Sequence, residues 1–288
     1  MREKEGKGYL APGVLAGKTI WITGGGSGLG QAMALRFAEL GARLGLSGRR
    51  EEPLSQTCES IEAAGGTAAF APCDVRRSGE VDEAYEKLNE KLGPVDALVN
   101  NAAGNFLSPA EELSDNAFSA IVDIVLKGTF HCTRTAGRDW IATKRRGAVL
   151  NIVTPYAWTG SAYVMPSSAA KAGVLAMTRS LTAEWGRYDI RLNAIAPGPI
   201  PTEGAFSRLL PSDEILESVK SKIPAGRLGR PDELAELAAF LLSDAADWIR
   251  GEVVTLDGGE WIRRAGSFND LVDLPPEMRE KLRRKAKR

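Results

Sequence analysis

Histidine is almost missing: in 288 residues there is one, His131. A single imidazole cannot build a histidine-rich metal site or supply a serine–histidine–acid triad. It sits in "GTFHCT", inside a helical stretch, and reads as structural. Cysteine is scarce as well. Cys58, Cys73 and Cys132 form no CxxC pair and no ligand cluster, so reduced thiols and no metal are expected. No apolar run reaches the roughly 20 residues that a membrane span needs. The opening "MREKEGKG" mixes charges and leads into no apolar stretch, unlike a secretory signal, and it lacks the acid-free, arginine-rich pattern of a mitochondrial import segment. The closing "RRKAKR" is not a peroxisomal address. A cytoplasmic protein with no membrane contact is therefore expected. There is no excess of either charge: 37 basic and 37 acidic residues cancel, and nothing points to nucleic acid as a partner.

What is present is a globular composition, 43% hydrophobic and 26% charged, enough for one large core. Short apolar runs alternate with segments of helical length. The runs are "KTIWIT", "ARLGLS", "TAAFAPCD", "VDALVNNA", "GAVLNIV", "IRLNAIAP" and "GEVVTLDGG". Seven strands separated by helices predict a Rossmann-type α/β fold: a doubly wound, mostly parallel seven-stranded sheet with helices on both faces. No linker interrupts the pattern, so residues 1–288 read as a single domain. Residues 201–221 are irregular and suit a substrate lid, with Arg208 as a candidate for the phosphates of an anionic substrate. Residues 260–288 form a polar extension. Ser114 is placed to cap the helix after it, and Pro231 with Asp232 and Glu233 suits a first helical turn.

"ITGGGSGLG" follows the first strand and opens a helix. Glycines at 24, 28 and 30 give the spacing TGxxxGxG, which lets backbone amides approach a pyrophosphate. Thr23, Gly24, Gly26, Ser27, Gly28, Leu29 and Gly30 are the candidate cradle. The second strand ends in "SGRR", without the acid that would hold a free ribose 2′-hydroxyl. Arg49 there suits a 2′-phosphate, so NADP (as NADPH) is the expected cofactor. Asp74, which ends the third run, is a candidate to accept from the adenine amine, and Val75 beside it is a further cofactor-binding candidate. Asn101, which ends the fourth, and Ala102, Ala103 and Gly104 leave room for close approach. Lys171 lies on a long helix after "GAVLNIV". A lysine on the cofactor side can bond ribose hydroxyls and lower a phenol's pKa. The phenol is open to choice among Tyr156, Tyr163 and Tyr188; spacing alone selects none, although Tyr188 lies past the helix.

Over nearly its whole length the chain resembles the short-chain dehydrogenase/reductase family. The matching elements are Thr23–Gly30, Asp74-Val75, Asn101-Ala102-Ala103-Gly104, Lys171, Asn193 and Pro197-Gly198-Pro199-Ile200. In most of that family the active tyrosine precedes the lysine by four residues, where this chain has Ser167. The 2,4-dienoyl-CoA reductases of mitochondrial type share that departure. The chain is similar to them in "NNAAGNFLSPAE", "DIVLKGT", "KAGVLAMTRSLTAEWG", "GPIPTEGAFSRL", "IPAGRLG" and "GSFNDL". The resemblance implies that Tyr156, fifteen residues before Lys171, is the active phenol. It also implies that Ser167 orients Lys171 and that Asn105 helps hold a thioester carbonyl. Pro197, Gly198, Pro199 and Ile200 would position the nicotinamide, and Asn193 would be scaffold. The implied activity is NADPH-dependent reduction of 2,4-dienoyl-CoA to 3-enoyl-CoA in fatty-acid β-oxidation, on a fatty acyl-CoA substrate, by a homotetramer. The alternative is a 3-oxoacyl thioester reductase or other carbonyl reductase of the same family. A cofactor-binding protein without turnover is the reading from another class.

Overall fold

The computed structural model describes residues 9–202 and 212–286. Its centre is a seven-stranded sheet: β1 (Thr19–Thr23), β2 (Arg43–Gly48), β3 (Thr67–Pro72), β4 (Ala97–Asn100), β5 (Gly147–Ile152), β6 (Ile190–Pro197) and β7 (Val253–Leu256). The strand order is β3-β2-β1-β4-β5-β6-β7, and every pairing is parallel. The seven apolar runs each supply one strand. Parallel strands need crossovers, and the helices between them provide these. Among the described residues these are α1 (Gly28–Glu39), α2 (Glu51–Ala63), α3 (Ser78–Leu92), α4 (Asp115–Val122), α5 (Gly128–Ala142), α6 (Tyr156–Thr159), α7 (Met165–Trp185), α8 (Asp213–Ser221) and α9 (Pro231–Leu242), while α10 (Glu260–Ala265) and α11 (Pro276–Ala286) follow β7.

Alternation along β1 sorts the core into two layers. Ile20 and Ile22 face Met33, Phe37, Leu54 and Leu241 on one side. Trp21 faces Tyr85, Leu88, Trp140 and Leu192 on the other. Both layers are fully buried, so truncating Phe37 to alanine would cost about 3–5 kcal/mol. The Ser114 hydroxyl accepts from the Ala117 amide at 3.2 Å, capping α4. Pro231 opens α9, and Glu233 accepts from the Arg230 amide at 2.9 Å. The stretch expected as one helix after Ser114 is broken by a π turn at Asp123–Lys127, which joins α4 to α5.

The candidate lid at 201–221 lies partly outside the described residues, including Arg208. Its described end forms α8. The C-terminal extension carries α10, a 3-10 turn at Asn269–Asp273 and α11. No helix among the described residues is long and apolar enough to cross a membrane.

Candidate active site

The chain leaves β1 for β2 and β3 on one side and returns to β4 on the other, so the strand order reverses between β1 and β4. Ligands of open α/β sheets bind at that crevice, beyond the carboxyl ends of the strands. Here the two strand ends are stitched together. The Thr23 hydroxyl accepts from the amides of Asn101 and Ala102, both at 3.0 Å. The Asn101 side chain donates to the carbonyls of Thr23 (3.0 Å) and Gly24 (3.3 Å). Gly24 and Gly28 have φ of +68° and +56°, which glycine adopts without strain. At Gly30 an added Cβ would lie 2.1 Å from the Gly24 carbonyl oxygen, so α1 starts hard against the strand exit.

The first turn of α1 has no acidic residue, and its N-cap, Ser27, makes no side-chain capping bond. Amides at such a helix start suit a phosphate. The residues present therefore fit a dinucleotide. Arg49 follows β2 and is exposed. Asp74 lies two residues beyond the end of β3, and its carboxylate is already engaged: Arg76 Nε is 2.9 Å from both oxygens. That guanidinium holds the Asp74 carboxyl below its usual range against the opposing effect of burial, and the Arg49 charge adds to the pull. An adenine amine would share this acceptor with Arg76. The sequence did not single out Arg76; an arginine two residues after an acid at a strand exit was the available signal. Nor did it give His131 a partner. His131 Nδ1 lies 2.9 Å from the Val75 carbonyl and pins the Asp74–Val75 stretch to α5.

The opposite wall is built by Pro197–Ile200. Gly198 donates to the Leu256 carbonyl (2.9 Å), and Gly229 donates to that of Pro199 (3.1 Å). Asn193 sits away from the crevice. Its amide bridges the Ile249 carbonyl and the Glu252 N–H, which is scaffolding.

Three polar side chains from three segments converge beyond β5. Tyr156 is the first residue of α6. Its hydroxyl is 3.3 Å from Asn105 Nδ2 and 3.2 Å from Ser167 Oγ. Asn105 Oδ1 accepts from the Phe106 amide at 3.0 Å, which turns the NH2 group toward the phenol. Ser168 Oγ donates to the Tyr156 carbonyl at 3.1 Å, fastening α6 to α7.

Lys171 is buried, and its ammonium donates to the carbonyl of Ile152, the last residue of β5. Burial lowers its pKa to about 8. Ser167, expected to orient Lys171, has the Tyr156 hydroxyl as its side-chain partner here. The serine side chain is short and reaches the phenol, while the lysine stem runs to the strand end, so the hydroxyl partners Tyr156 and the ammonium partners the backbone. Of the other phenols, Tyr163 is 59% exposed between α6 and α7. Tyr188 lies just before the start of β6, at the opposite end of the sheet.

A protein-family model described as "Enoyl-(Acyl carrier protein) reductase" matches residues 24–260, which is most of the chain. The chain belongs to the short-chain dehydrogenase/reductase family. Within this oxidoreductase family it is 47% identical, over 246 residues, to a Bacillus subtilis protein named "Probable 2,4-dienoyl-CoA reductase [(2E)-enoyl-CoA-producing]". That match covers 85% of this chain and 97% of the relative. It is 44% identical over 255 residues to a Caenorhabditis elegans protein named "Probable 2,4-dienoyl-CoA reductase 3 [(3E)-enoyl-CoA-producing]", covering 87% and 82% of the two chains. Among solved structures it is similar to a gluconate 5-dehydrogenase from Burkholderia cenocepacia in complex with NADP and tartrate. There the TM-score is 0.81 and the identity 31%, with 86% of this chain and 96% of that one covered.

Proposed function

We propose that this short-chain dehydrogenase/reductase reduces 2,4-dienoyl-CoA thioesters to 3-enoyl-CoA with NADPH, in fatty-acid β-oxidation. The observation that carries this reading is the Tyr156 phenol set between the Asn105 amide and the Ser167 hydroxyl. An amide N–H and a phenol beside one another suit an oxygen that gains negative charge as the reaction proceeds. NADPH, when bound, supplies the hydride. Its addition to the fifth carbon of the conjugated chain moves an electron pair along the diene to the thioester oxygen, giving a dienolate. Tyr156 and Asn105 donate to that oxygen. Ser167 holds the phenol, and buried Lys171 places positive charge close by.

The dienolate also carries charge on its second and fourth carbons. A proton on the second gives 3-enoyl-CoA, and a proton on the fourth gives 2-enoyl-CoA. The second carbon adjoins the one bearing the oxygen, so a proton source beside Tyr156 lies nearer to it. The name of the Bacillus relative favours the other product, and the Caenorhabditis name favours this one.

NADPH rather than NADH is supported by Arg49 after β2 and by the absence of an acid at Ser47 or Gly48. The helix start at Ser27–Gly30, Asn101–Gly104, Lys171 and Pro197–Ile200 are the residues that would hold it. A homotetramer and an acyl-CoA lid across 201–221 complete the proposal. Light scattering that gave the mass of one chain would contradict the tetramer.

A substrate panel tests the activity. With NADPH, the purified protein is expected to bleach the absorbance of a 2,4-dienoyl-CoA and to yield the 3-enoyl product. Turnover of a 3-oxoacyl thioester in its place would make the chain a carbonyl reductase. A 2-enoyl product would move the protonation to the fourth carbon.

A further inference from the structure

We propose that Tyr163 sets the acyl-chain length the enzyme prefers, its ring forming the outer wall against the part of the chain beyond the diene. This rests on the dienoyl-CoA reading above. Tyr163 lies in the loop between α6 and α7, and its φ is +64°. Left-handed backbone crowds the Cβ of an L residue, and for a bulky side chain it is an outlier. Among the described residues only Lys144 and Asp189 share it without being glycine. Both of those close a helix, at the ends of α5 and of the 3-10 turn Gly186–Tyr188, where such a conformation is the ordinary stop.

Tyr163 closes no helix; it stands two residues before α7. Glycine would take the same φ freely. Packing does not account for the tyrosine either, because it is 59% exposed. A strained residue kept without burial points to a use for its side chain outside the core.

The neighbourhood names that use. The Tyr163 carbonyl accepts from the Ser108 amide at 2.9 Å. This bond ties the loop carrying Asn105 to the loop following Tyr156, the two segments whose donors face the reacting oxygen. Leu107, next to Ser108, and Met165, two residues past Tyr163, are both exposed apolar side chains. Leu107 and Tyr163 therefore stand on the two loops that flank the site, and Met165 opens α7 beside them. A fatty acyl chain held at its thioester end by Asn105 and Tyr156 needs apolar cover along its remaining carbons. The aromatic ring at 163 offers it.

The test compares kcat/KM for six-carbon and ten-carbon 2,4-dienoyl-CoA in the wild type, Tyr163→Phe and Tyr163→Gly, with Tm measured for each. Tyr163→Gly removes the ring and relieves the backbone at once. The ratio of ten-carbon to six-carbon kcat/KM is expected to fall about tenfold in Tyr163→Gly and to hold in Tyr163→Phe. Tm in Tyr163→Gly should be no lower than in the wild type. An unchanged ratio would overturn the proposal. So would an equal loss on both substrates, or a fall in Tm, since the ring would then only support the loop. A wild type that reduces neither dienoyl-CoA but does reduce a 3-oxoacyl thioester would remove the dienoyl reading itself, a result distinct from a flat chain-length profile.

Discussion

The side-chain amide of Asn105 lies 3.3 Å from the hydroxyl of Tyr156, a residue fifty-one positions later in the chain. The two belong to the exits of adjacent strands, β4 and β5. The Phe106 amide fixes which end of the Asn105 side chain faces the phenol. On the proposed mechanism, replacing Asn105 with alanine removes one of two donors to the developing charge. A fall in kcat of about a hundredfold is expected, with NADPH affinity retained. Ser167→Ala removes only a bond to the phenol, so a loss of about fivefold, near 1 kcal/mol, is expected. Steady-state kinetics on a 2,4-dienoyl-CoA would read both. Reversal of the two magnitudes would place the serine, not the asparagine, against the substrate.

Arg49 stands exposed where β2 ends, on the side of Asp74. If Arg49 holds the 2′-phosphate as proposed, Arg49→Ala loses a charge-assisted bond. KM for NADPH should rise by about tenfold or more, while kinetics with NADH stay nearly constant. Equal efficiency with NADPH and NADH in the unmodified enzyme would refute this assignment.

Lys171 gives a pH signature. Burial lowers its pKa from the ordinary 10.5 to about 8. Between those values the unfolded chain holds a proton that the folded protein has released, so stability rises with pH across that window. Below about pH 8 both states are protonated and the cost of burying the charge, roughly 3 kcal/mol, is felt in full. Over the same window the ammonium disappears, so kcat/KM should fall as pH rises through about 8. Denaturant titrations from neutral to pH 10.5 should show the stability rise in the wild type and not in Lys171→Met. The same rise in both proteins would assign it to other groups.

Gly30 tests the cofactor end. A methyl group there meets the Gly24 carbonyl oxygen at 2.1 Å and the Asn101 side-chain Nδ2 at 2.6 Å. Both are held by the stitching of β1 to β4, so neither can retreat cheaply. Gly30→Ala is expected to abolish NADPH binding in a fluorescence titration and to lower Tm. Normal binding by the variant would show that the turn does not need its close approach.

The sheet was legible because its signal is local. Each strand is a short apolar run, and Ile20, Trp21 and Ile22 alternate between two core layers as a pleat requires. The glycine turn was legible for the same reason: its spacing lies within eight residues. Contacts set by the fold were not. Nothing near Ser167 in the chain says that its hydroxyl meets a phenol eleven residues earlier rather than the lysine one turn later. The pairing of Arg76 with Asp74 depends on how the chain bends after β3. The left-handed backbone at Tyr163 occupies a position where glycine, the residue that announces such a turn, is missing. The choice among three tyrosines needed the resemblance, because only α6 and α7 packed together bring Tyr156 to Asn105 and Ser167.

The most direct test of the account is kcat for Tyr156→Phe on a 2,4-dienoyl-CoA, with Tyr163→Phe measured alongside. The change deletes one hydroxyl and little volume. If that hydroxyl bonds the dienolate oxygen, kcat falls about a hundredfold or more, roughly 3 kcal/mol, while NADPH still binds and Tyr163→Phe keeps most of its rate. A near-normal rate for Tyr156→Phe together with a collapsed rate for Tyr163→Phe would contradict the account.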